Sequence, residues 1–223
     1  MDLLELTPRL HLMRFFVGQA YLWRDGDDLT LIDTGPPGSA PAIASAVRGL
    51  GTLRRVGLTH AHDDHTGSAA EIGSWPGATV LAHRADAPVV RGDRPAPPPD
   101  FTEFERELHT QVAHGLTAAP PARVDVELDD GDELDIGGGA RVIPVPGHTD
   151  GSIALHLERE RVLFTGDVIA EHSGELMLGP FNVDRDRAAA SMRRLTGLDV
   201  DVACFGHGDA IVTAAGDALR SLG

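Results

Sequence analysis

The sequence has one cysteine, few aromatic residues and no long apolar run, and each absence excludes a class of protein. A single cysteine, Cys204, rules out a disulfide framework within the chain and fits a reducing compartment. We expect it to be a small buried apolar residue. The first residues have neither the basic start nor the apolar stretch of a signal peptide, and no segment is long enough to span a bilayer. We therefore expect a cytoplasmic protein that does not bind membranes.

Basic residues are also scarce. The chain has 34 Asp and Glu against 19 Lys and Arg, which gives a net charge of −15, and no Lys/Arg-rich run interrupts it. A surface of this charge repels phosphate backbones, so we expect no nucleic-acid partner. The length of 223 residues suits one domain with a large core, and we expect residues 1–223 to form it.

Histidine is concentrated in one short run. Residues 59–65 read T-H-A-H-D-D-H, which places His60, His62, Asp64 and His65 within seven positions. First-row metals accept imidazole nitrogen and carboxylate oxygen readily. The run follows an apolar stretch that predicts a short buried strand and precedes small residues that predict a helix. The sequence therefore predicts metal ligands on a loop held between two rigid elements.

Four further His or Asp residues follow apolar runs in the same way. These residues are Asp33, His148, Asp167 and His207, and a glycine lies beside each of their turns. Glycine allows tight turns and positive φ, so the polar side chains can point to one place. Asp33 could instead be an ordinary capping residue after a strand. The other six histidines are expected to be ordinary core or surface residues: His11, His83, His109, His114, His156 and His172.

Together, these motifs resemble those of the metallo-β-lactamase superfamily. The T-H-x-H-x-D-H run, the Asp-Thr-Gly turn at Asp33, the Pro-Gly-His-Thr turn at His148, the Thr-Gly-Asp turn at Asp167 and the late His207 come in the family's order. The resemblance implies an α/β fold, a four-layer αββα sandwich, with two metal ions at one edge. It implies that His60, His62 and His148 hold one ion, and that Asp64, His65 and His207 hold the second.

The same resemblance assigns the remaining roles. Asp167 would bridge the two ions together with a water or hydroxide. Bound metal lowers the pKa of water to about 7, which supplies a nucleophile at neutral pH. Asp64 would orient it and pass a proton to the leaving group. Asp33 would accept a hydrogen bond that fixes a ligand. Two zinc ions are expected, with iron or manganese as alternatives.

Within the superfamily, the motifs favour the branch that resembles glyoxalase II and the lactonases. True class B β-lactamases lack an aspartate bridge at the position of Asp167. The double glycine usual after the histidine run is lost, because Ser68 follows Gly67, and we expect no helical glutathione-binding extension after His207. The expected enzyme hydrolyses a thioester, lactone or similar acyl ester of a small metabolite. The alternatives are a mononuclear iron oxidoreductase resembling persulfide dioxygenase, and a binding or scaffold protein. The oligomeric state stays open.

The patterns also predict elements and two segments near the site. We expect three strands within residues 10–33, a helix over 39–49 capped by Ser39, short strands over 123–165, a helix over 185–195 capped by Asp184, and a last helix near 213–222. Residues 94–100 are rich in proline and precede a predicted helix over 101–116, which places the apolar residues Phe101, Phe104, Leu108 and Val112 on one face. Segment 91–122 is either a cover of the active site or a surface excursion. Residues 171–181 are a candidate pocket wall for an acyl group.

Overall fold

The computed structural model describes residues 1–112 and 114–223, which divide into two compact units. Unit 1 contains Met1–Ala96 and Gly115–Leu128, and unit 2 contains Pro97–His114 and Asp129–Gly223. Each unit has its own sheet, its own helices and its own apolar core. No helix in the described part of the chain has the length and apolar character needed to cross a bilayer.

Unit 1 is built on a seven-stranded sheet whose strands are neighbours in chain order. The strands are β1 (Asp2–Thr7), β2 (Leu10–Arg14), β3 (Gln19–Asp25), β4 (Asp28–Ile32), β5 (Thr52–Leu58), β6 (Thr79–His83) and β7 (Val126–Leu128). β1 to β4 pair antiparallel, and β4 to β7 pair parallel. Since the carboxyl ends of parallel strands meet at one edge of a sheet, the residues that follow β4 and β5 come together there.

Four helices accompany this sheet: α1 (Ala40–Val47), α2 (Asp63–Thr66), α3 (Ala69–Gly73) and α4 (Ala87–Val90). Helix α1 buries Ala40, Ile43, Ala46 and Val47, the spacing of one helical face, in the same core as residues of β4 and β5. Ser39 lies at the predicted cap position. Its side chain, however, makes no capping hydrogen bond, because its hydroxyl donates to the carbonyl of Pro36 at 2.8 Å.

Unit 2 contains a five-stranded sheet and a separate hairpin. The sheet strands are β8 (Glu133–Leu134), β9 (Ala140–Pro144), β10 (Ile153–Leu157), β11 (Val162–Phe164) and β14 (Val202–Cys204), in the spatial order β14-β11-β10-β9-β8. The hairpin is β12 (Ile169–His172) with β13 (Glu175–Leu178). β11 and β14 pair parallel, with Phe164 opposite Cys204, so the turns that follow them emerge at the same edge.

The helices of unit 2 are α5 (Glu103–Val112), α6 (Arg185–Leu195) and α7 (Ala215–Arg220). Helix α6 has the predicted bounds, and the Asp184 side chain accepts the N–H of Arg187 as the predicted cap. Cys204 is 1% exposed, as expected, and its burial raises the pKa of the thiol well above its ordinary value.

Helix α5 is shorter than the predicted 101–116 helix, part of which, Ala113, lies outside the described residues. It begins at Glu103 because Thr102 and Glu105 form a reciprocal cap: the N–H of Glu105 donates to Thr102 Oγ1 and the N–H of Thr102 to Glu105 Oε2. The expected apolar face is not buried, since Phe104 is 69% exposed. Glu105, at 2%, is the buried residue instead.

Candidate metal centre

The loop after β5 carries the four predicted ligands of unit 1. His60 is 2% exposed, His65 0% and Asp64 8%, and His62 is half-buried at the start of α2. His60 Nε2 and His62 Nδ1 lie 3.1 Å apart, and His65 Nε2 is 3.6 Å from Asp64 Oδ2. Two ligand nitrogens on one tetrahedral zinc, each about 2.05 Å from it, lie about 3.3 Å apart. The donor atoms of this loop are therefore spaced as metal ligands are.

Asp33, at the end of the neighbouring strand β4, sets which ring nitrogens of His60 and His65 carry a proton. Its Oδ1 accepts the N–H of Thr59 at 2.8 Å, and its Oδ2 accepts the Thr59 hydroxyl at 2.8 Å and His65 Nδ1 at 2.9 Å. The Thr59 hydroxyl has one proton, which it gives to Asp33, so His60 Nδ1, at 3.0 Å, must donate to Thr59 Oγ1. Both imidazoles consequently have their lone pair on Nε2, where a metal ligand needs it.

The backbone of Asp33 is in the left-handed region, with a φ of 61°. Aspartate tolerates this conformation better than most residues, and Asp33 as a whole residue is 3% exposed. The next residue, Thr34, continues the contact, because its N–H donates to the carbonyl of His65 at 2.7 Å and its hydroxyl donates to the same carbonyl at 2.8 Å. The prediction that Asp33 supports a ligand thus agrees with its hydrogen bonds.

Serine at position 68 has a role of its own. The Ser68 hydroxyl donates to the carbonyl of Pro36 at 3.0 Å and accepts the N–H of Ser39 at 2.9 Å. Gly67 must be glycine, since a Cβ there would lie 2.2 Å from the nitrogen of Pro37. The loss of the second glycine is therefore offset by two hydrogen bonds that join the Asp33 turn to the ligand loop.

Two supports of this loop were missed from sequence. The buried carboxylate of Asp86 accepts the N–H of Ala61, the residue between His60 and His62, at 2.9 Å. Asp86 follows β6 as Asp33 follows β4, which is the signal that could have identified it. Gly18 lies against Asp64: a Cβ there would be 2.7 Å from the carbonyl oxygen of Asp64 and 3.1 Å from its Oδ2.

Unit 2 brings together the other three predicted ligands. His148 follows β9, Asp167 follows β11 and His207 follows β14. His148 is 1% exposed and Asp167 is 7%, whereas the side chain of His207 is 37% exposed. Asp167 Oδ2 lies 3.6 Å from His148 Nε2 and 3.2 Å from His207 Nε2. One carboxylate oxygen thus reaches both imidazoles, which is the geometry expected of a shared ligand.

Glu171, in the hairpin, holds the loop that carries His207. Its side chain accepts the N–H groups of Gly174 and Asp209, and its own N–H donates to the carbonyl of His207 at 3.2 Å. Gly208, with a φ of +95°, allows the approach, since a Cβ there would lie 2.1 Å from the carbonyl oxygen of Glu171. The candidate pocket wall at 171–181 therefore also anchors a ligand turn.

The donor set fits metal ions, and the remaining histidines do not enlarge it. Among the residues that the structure describes, the side-chain groups able to hold a metal consist of the seven predicted ligands. His156 is 4% exposed in β10, and burial lowers the pKa of its imidazole below the ordinary value. His172 and His109 are exposed.

Known proteins similar to this chain include metallo-hydrolases. The family model of the metallo-beta-lactamase superfamily matches residues 13–207. A probable metallo-hydrolase of Bacillus subtilis, YflN, is 31% identical over 80% of this chain and 74% of its own length. A hydroxyacylglutathione hydrolase of Anaeromyxobacter dehalogenans is 36% identical over 67% of this chain, and the match spans 45% of that enzyme. The crystal structure of TTHA1623 in a di-iron-bound form aligns with a TM-score of 0.66 and 27% identity, covering 89% of this chain and 91% of the other.

Proposed function

From the premise that this chain belongs to the metallo-β-lactamase superfamily and is a metal-dependent hydrolase, we propose that it cleaves an activated acyl bond with two metal ions. The substrate class we propose is a thioester, lactone or similar acyl ester of a small metabolite. The family match confirms the predicted α/β metallo-β-lactamase fold. The number of ions, their identity and the substrate are the proposal.

The observation that carries the two-metal proposal is the position of Asp167. A single oxygen of this carboxylate is 3.6 Å from one imidazole and 3.2 Å from another, as a bridging ligand requires. We assign His60, His62 and His148 to one ion and Asp64, His65 and His207 to the other, with Asp167 shared. Seven protein ligands exceed what one roughly four-coordinate zinc uses, which also favours two ions.

Three side chains of the protein hold or transfer protons in the proposed reaction: those of Asp33, Thr59 and Asp64. When bound, the ions would activate water and polarise an acyl carbonyl. Asp33 and Thr59 keep the lone pairs of His60 and His65 on Nε2. The largely buried carboxylate of Asp64 takes the proton of the attacking water and gives it to the leaving group. Gly18 packs against Asp64, so that carboxylate has little freedom to turn away.

The proposed acyl substrate is supported by the relatives and by charge. Hydroxyacylglutathione hydrolases, which by name act on an acyl group carried by glutathione, match about half of their own length to this chain. Because the other half of those enzymes has no counterpart in the match, we do not assign glutathione as the acyl carrier of the proposed substrate. A net charge of −15 disfavours polyanionic substrates, and we propose that nucleic acids are not cleaved.

Zinc is our first choice of metal, and iron is the alternative with support. Zinc suits imidazole and carboxylate ligands and needs no redox partner. The neighbour solved in a di-iron-bound form shows that another protein with this fold holds two irons. An iron oxidoreductase resembling persulfide dioxygenase would consume oxygen, and this separates it from a hydrolase.

The deciding experiment combines metal analysis with an activity panel on the purified full-length chain. We expect about two equivalents of metal, and turnover of thioesters or lactones that disappears with a chelator and returns with zinc. Asp167→Ala should lose metal and activity, whereas Asp2→Asn, an exposed carboxylate on β1, should keep both. Oxygen uptake is followed in parallel on iron-loaded protein.

Two results would contradict the proposal. One metal ion or none in protein that has never met a chelator would refute the dinuclear site. Cleavage of RNA or DNA at rates above those on acyl substrates, lost in Asp64→Ala, would refute the substrate class.

A further inference from the structure

Residues 179–184 of unit 2 are hydrogen-bonded to both of its buried ligand turns. The N–H of Gly179 donates to the carbonyl of Val168 at 3.3 Å, and the N–H of Val183 donates to the carbonyl of His148 at 3.2 Å. Asn182 Nδ2 closes the segment on itself by donating to the carbonyl of Gly179 at 2.7 Å. A Cβ at Gly179 would lie 1.8 Å from the carbonyl oxygen of Asp167. The main-chain positions of His148 and Asp167 therefore depend on this segment.

The 179–184 segment is held in an unfavourable conformation. Phe181 has a φ of +66°, in the left-handed region that bulky residues rarely adopt. Its N–H donates to Glu105 Oε1 at 3.1 Å, and Arg185 donates to the same oxygen. Such a conformation persists only where surrounding contacts determine it. Glu105 supplies that contact from helix α5, well away in sequence.

Glu105 differs from the other acidic residues of its helix. It is 2% exposed, whereas Glu103 and Glu107 face solvent. Burial acts to raise the pKa of Glu105, but hydrogen bonds from Thr102, Arg185 and Phe181 outweigh it and hold the pKa below its ordinary value. An ionised carboxylate is therefore kept in the interior by the groups that it orders.

We propose that Glu105 is a positioning residue of the metal centre, holding the 179–184 segment against the turns that carry His148 and Asp167. The inference rests on the proposed function for the role of those two residues as metal ligands. A second hydrogen bond, from the N–H of Asp100 to the carbonyl of Asn182 at 2.8 Å, also joins the chain just before α5 to the 179–184 segment.

The test uses Co²⁺ as a visible probe of ligand geometry. Full-length wild type, Glu105→Ala, Glu105→Gln and the matched control Glu107→Ala are freed of metal and titrated with Co²⁺ against a competing chelator. Mutating a residue that holds a metal ligand in place typically lowers metal affinity by about 10- to 100-fold. We expect Glu105→Ala to weaken cobalt binding by about tenfold and to alter the d–d absorption spectrum. Glu105→Gln keeps an acceptor for Phe181 and should recover part of both.

Hydrogen–deuterium exchange on metal-free samples separates the possible causes. Amides in residues 179–184 should exchange faster in Glu105→Ala, and those of Glu107→Ala should match wild type. A lower unfolding temperature with unchanged cobalt affinity and spectrum would show a merely structural role and overturn the inference. Wild type that binds no cobalt would overturn the proposed function as well, whereas the exchange data would still report what Glu105 holds. If Glu105→Ala does not fold, Arg185→Ala and Glu105→Gln are compared in the same way.

Discussion

Replacing Asp33 with asparagine should weaken metal binding while leaving the backbone unchanged. Asn and Asp both tolerate the left-handed conformation seen at position 33, where φ is 61°. The substitution therefore isolates the hydrogen bonds of the side chain from the geometry of the turn. Asparagine has one acceptor oxygen, whereas Asp33 accepts three hydrogen bonds, from the Thr59 N–H, the Thr59 hydroxyl and His65 Nδ1.

The size of the effect follows from which bonds are lost. An amide NH₂ in place of Oδ2 would face two donors, so the Thr59 hydroxyl turns and His65 Nδ1 no longer has its acceptor. Hydrogen bonds to a charged group contribute about 1.5–3 kcal/mol each. Part of that lost free energy lowers metal affinity, because a histidine in the wrong tautomer must change tautomer before it can bind the metal. We expect a loss of about 10- to 100-fold in metal affinity, the range typical of such supports.

The assay is competition for zinc against a chromophoric chelator, with unfolding of the metal-free chain measured in urea. The control is Asp28→Asn, because Asp28 pairs with Arg54 at 3.0 Å with both side chains about half exposed, and exposed pairs contribute little. Thr59→Val removes the acceptor of His60 Nδ1 and one donor to Asp33 but leaves the bond between His65 and Asp33. It should therefore weaken binding mainly through His60, and Thr59→Ser should restore it. If Asp33→Asn binds zinc as tightly as wild type, the assignment of both lone pairs to Nε2 is wrong.

Two further predictions concern positions outside the ligand set. Gly18→Ala and Gly26→Ala both place alanine in the left-handed region, at φ +67° and +62°, but a Cβ at Gly26 has nothing within 4 Å. Both variants should lose stability, and only Gly18→Ala should also weaken zinc affinity, because its Cβ displaces Asp64. Equal zinc affinities of the two variants would contradict this prediction. The pKa of His156 is lowered in the folded chain, so the unfolded chain takes up the proton first as pH falls below 6.5, and stability should decline by up to about 1.4 kcal/mol per pH unit. His156→Gln should flatten that decline in urea unfolding between pH 7 and 5 on metal-free protein, and parallel curves would show that His156 is not its source.

The ligand turns could be predicted because their signals are local. Each turn that carries candidate ligands follows an apolar strand, and a glycine lies in or near it, so spacing and residue type were enough to propose the set. Helix α6 was predicted with its bounds for the same reason, since the Asp184 cap and the helix are adjacent in sequence. The reciprocal cap of Thr102 and Glu105 was equally local and could have set the start of α5.

The backbone groups that these supports bind could not be predicted, because they are distant in sequence. Asp86 is 25 positions from Ala61, Glu171 is 38 from Asp209, and Glu105 is 76 from Phe181. A backbone N–H has no sequence signature, so nothing in the chain marks which amide a carboxylate will accept. The amphipathic pattern of residues 101–112 was misleading for a related reason. It predicted an apolar face, whereas one charged residue with three donors anchors the helix.

Part of the acidity of this chain belongs to the site rather than to the surface. Asp33, Asp86 and Glu105 are each at most 3% exposed, and each accepts backbone N–H groups in or beside a ligand turn. Burying an ionised carboxylate costs free energy unless hydrogen bonds or opposite charges offset the loss of water. A bound cation supplies the opposite charge, so carboxylates that rigidify glycine-rich turns are better tolerated near metal ions than in an ordinary core. The same residues that fix the ligands thus also prepare a negative environment in each unit for the cations that the ligands hold.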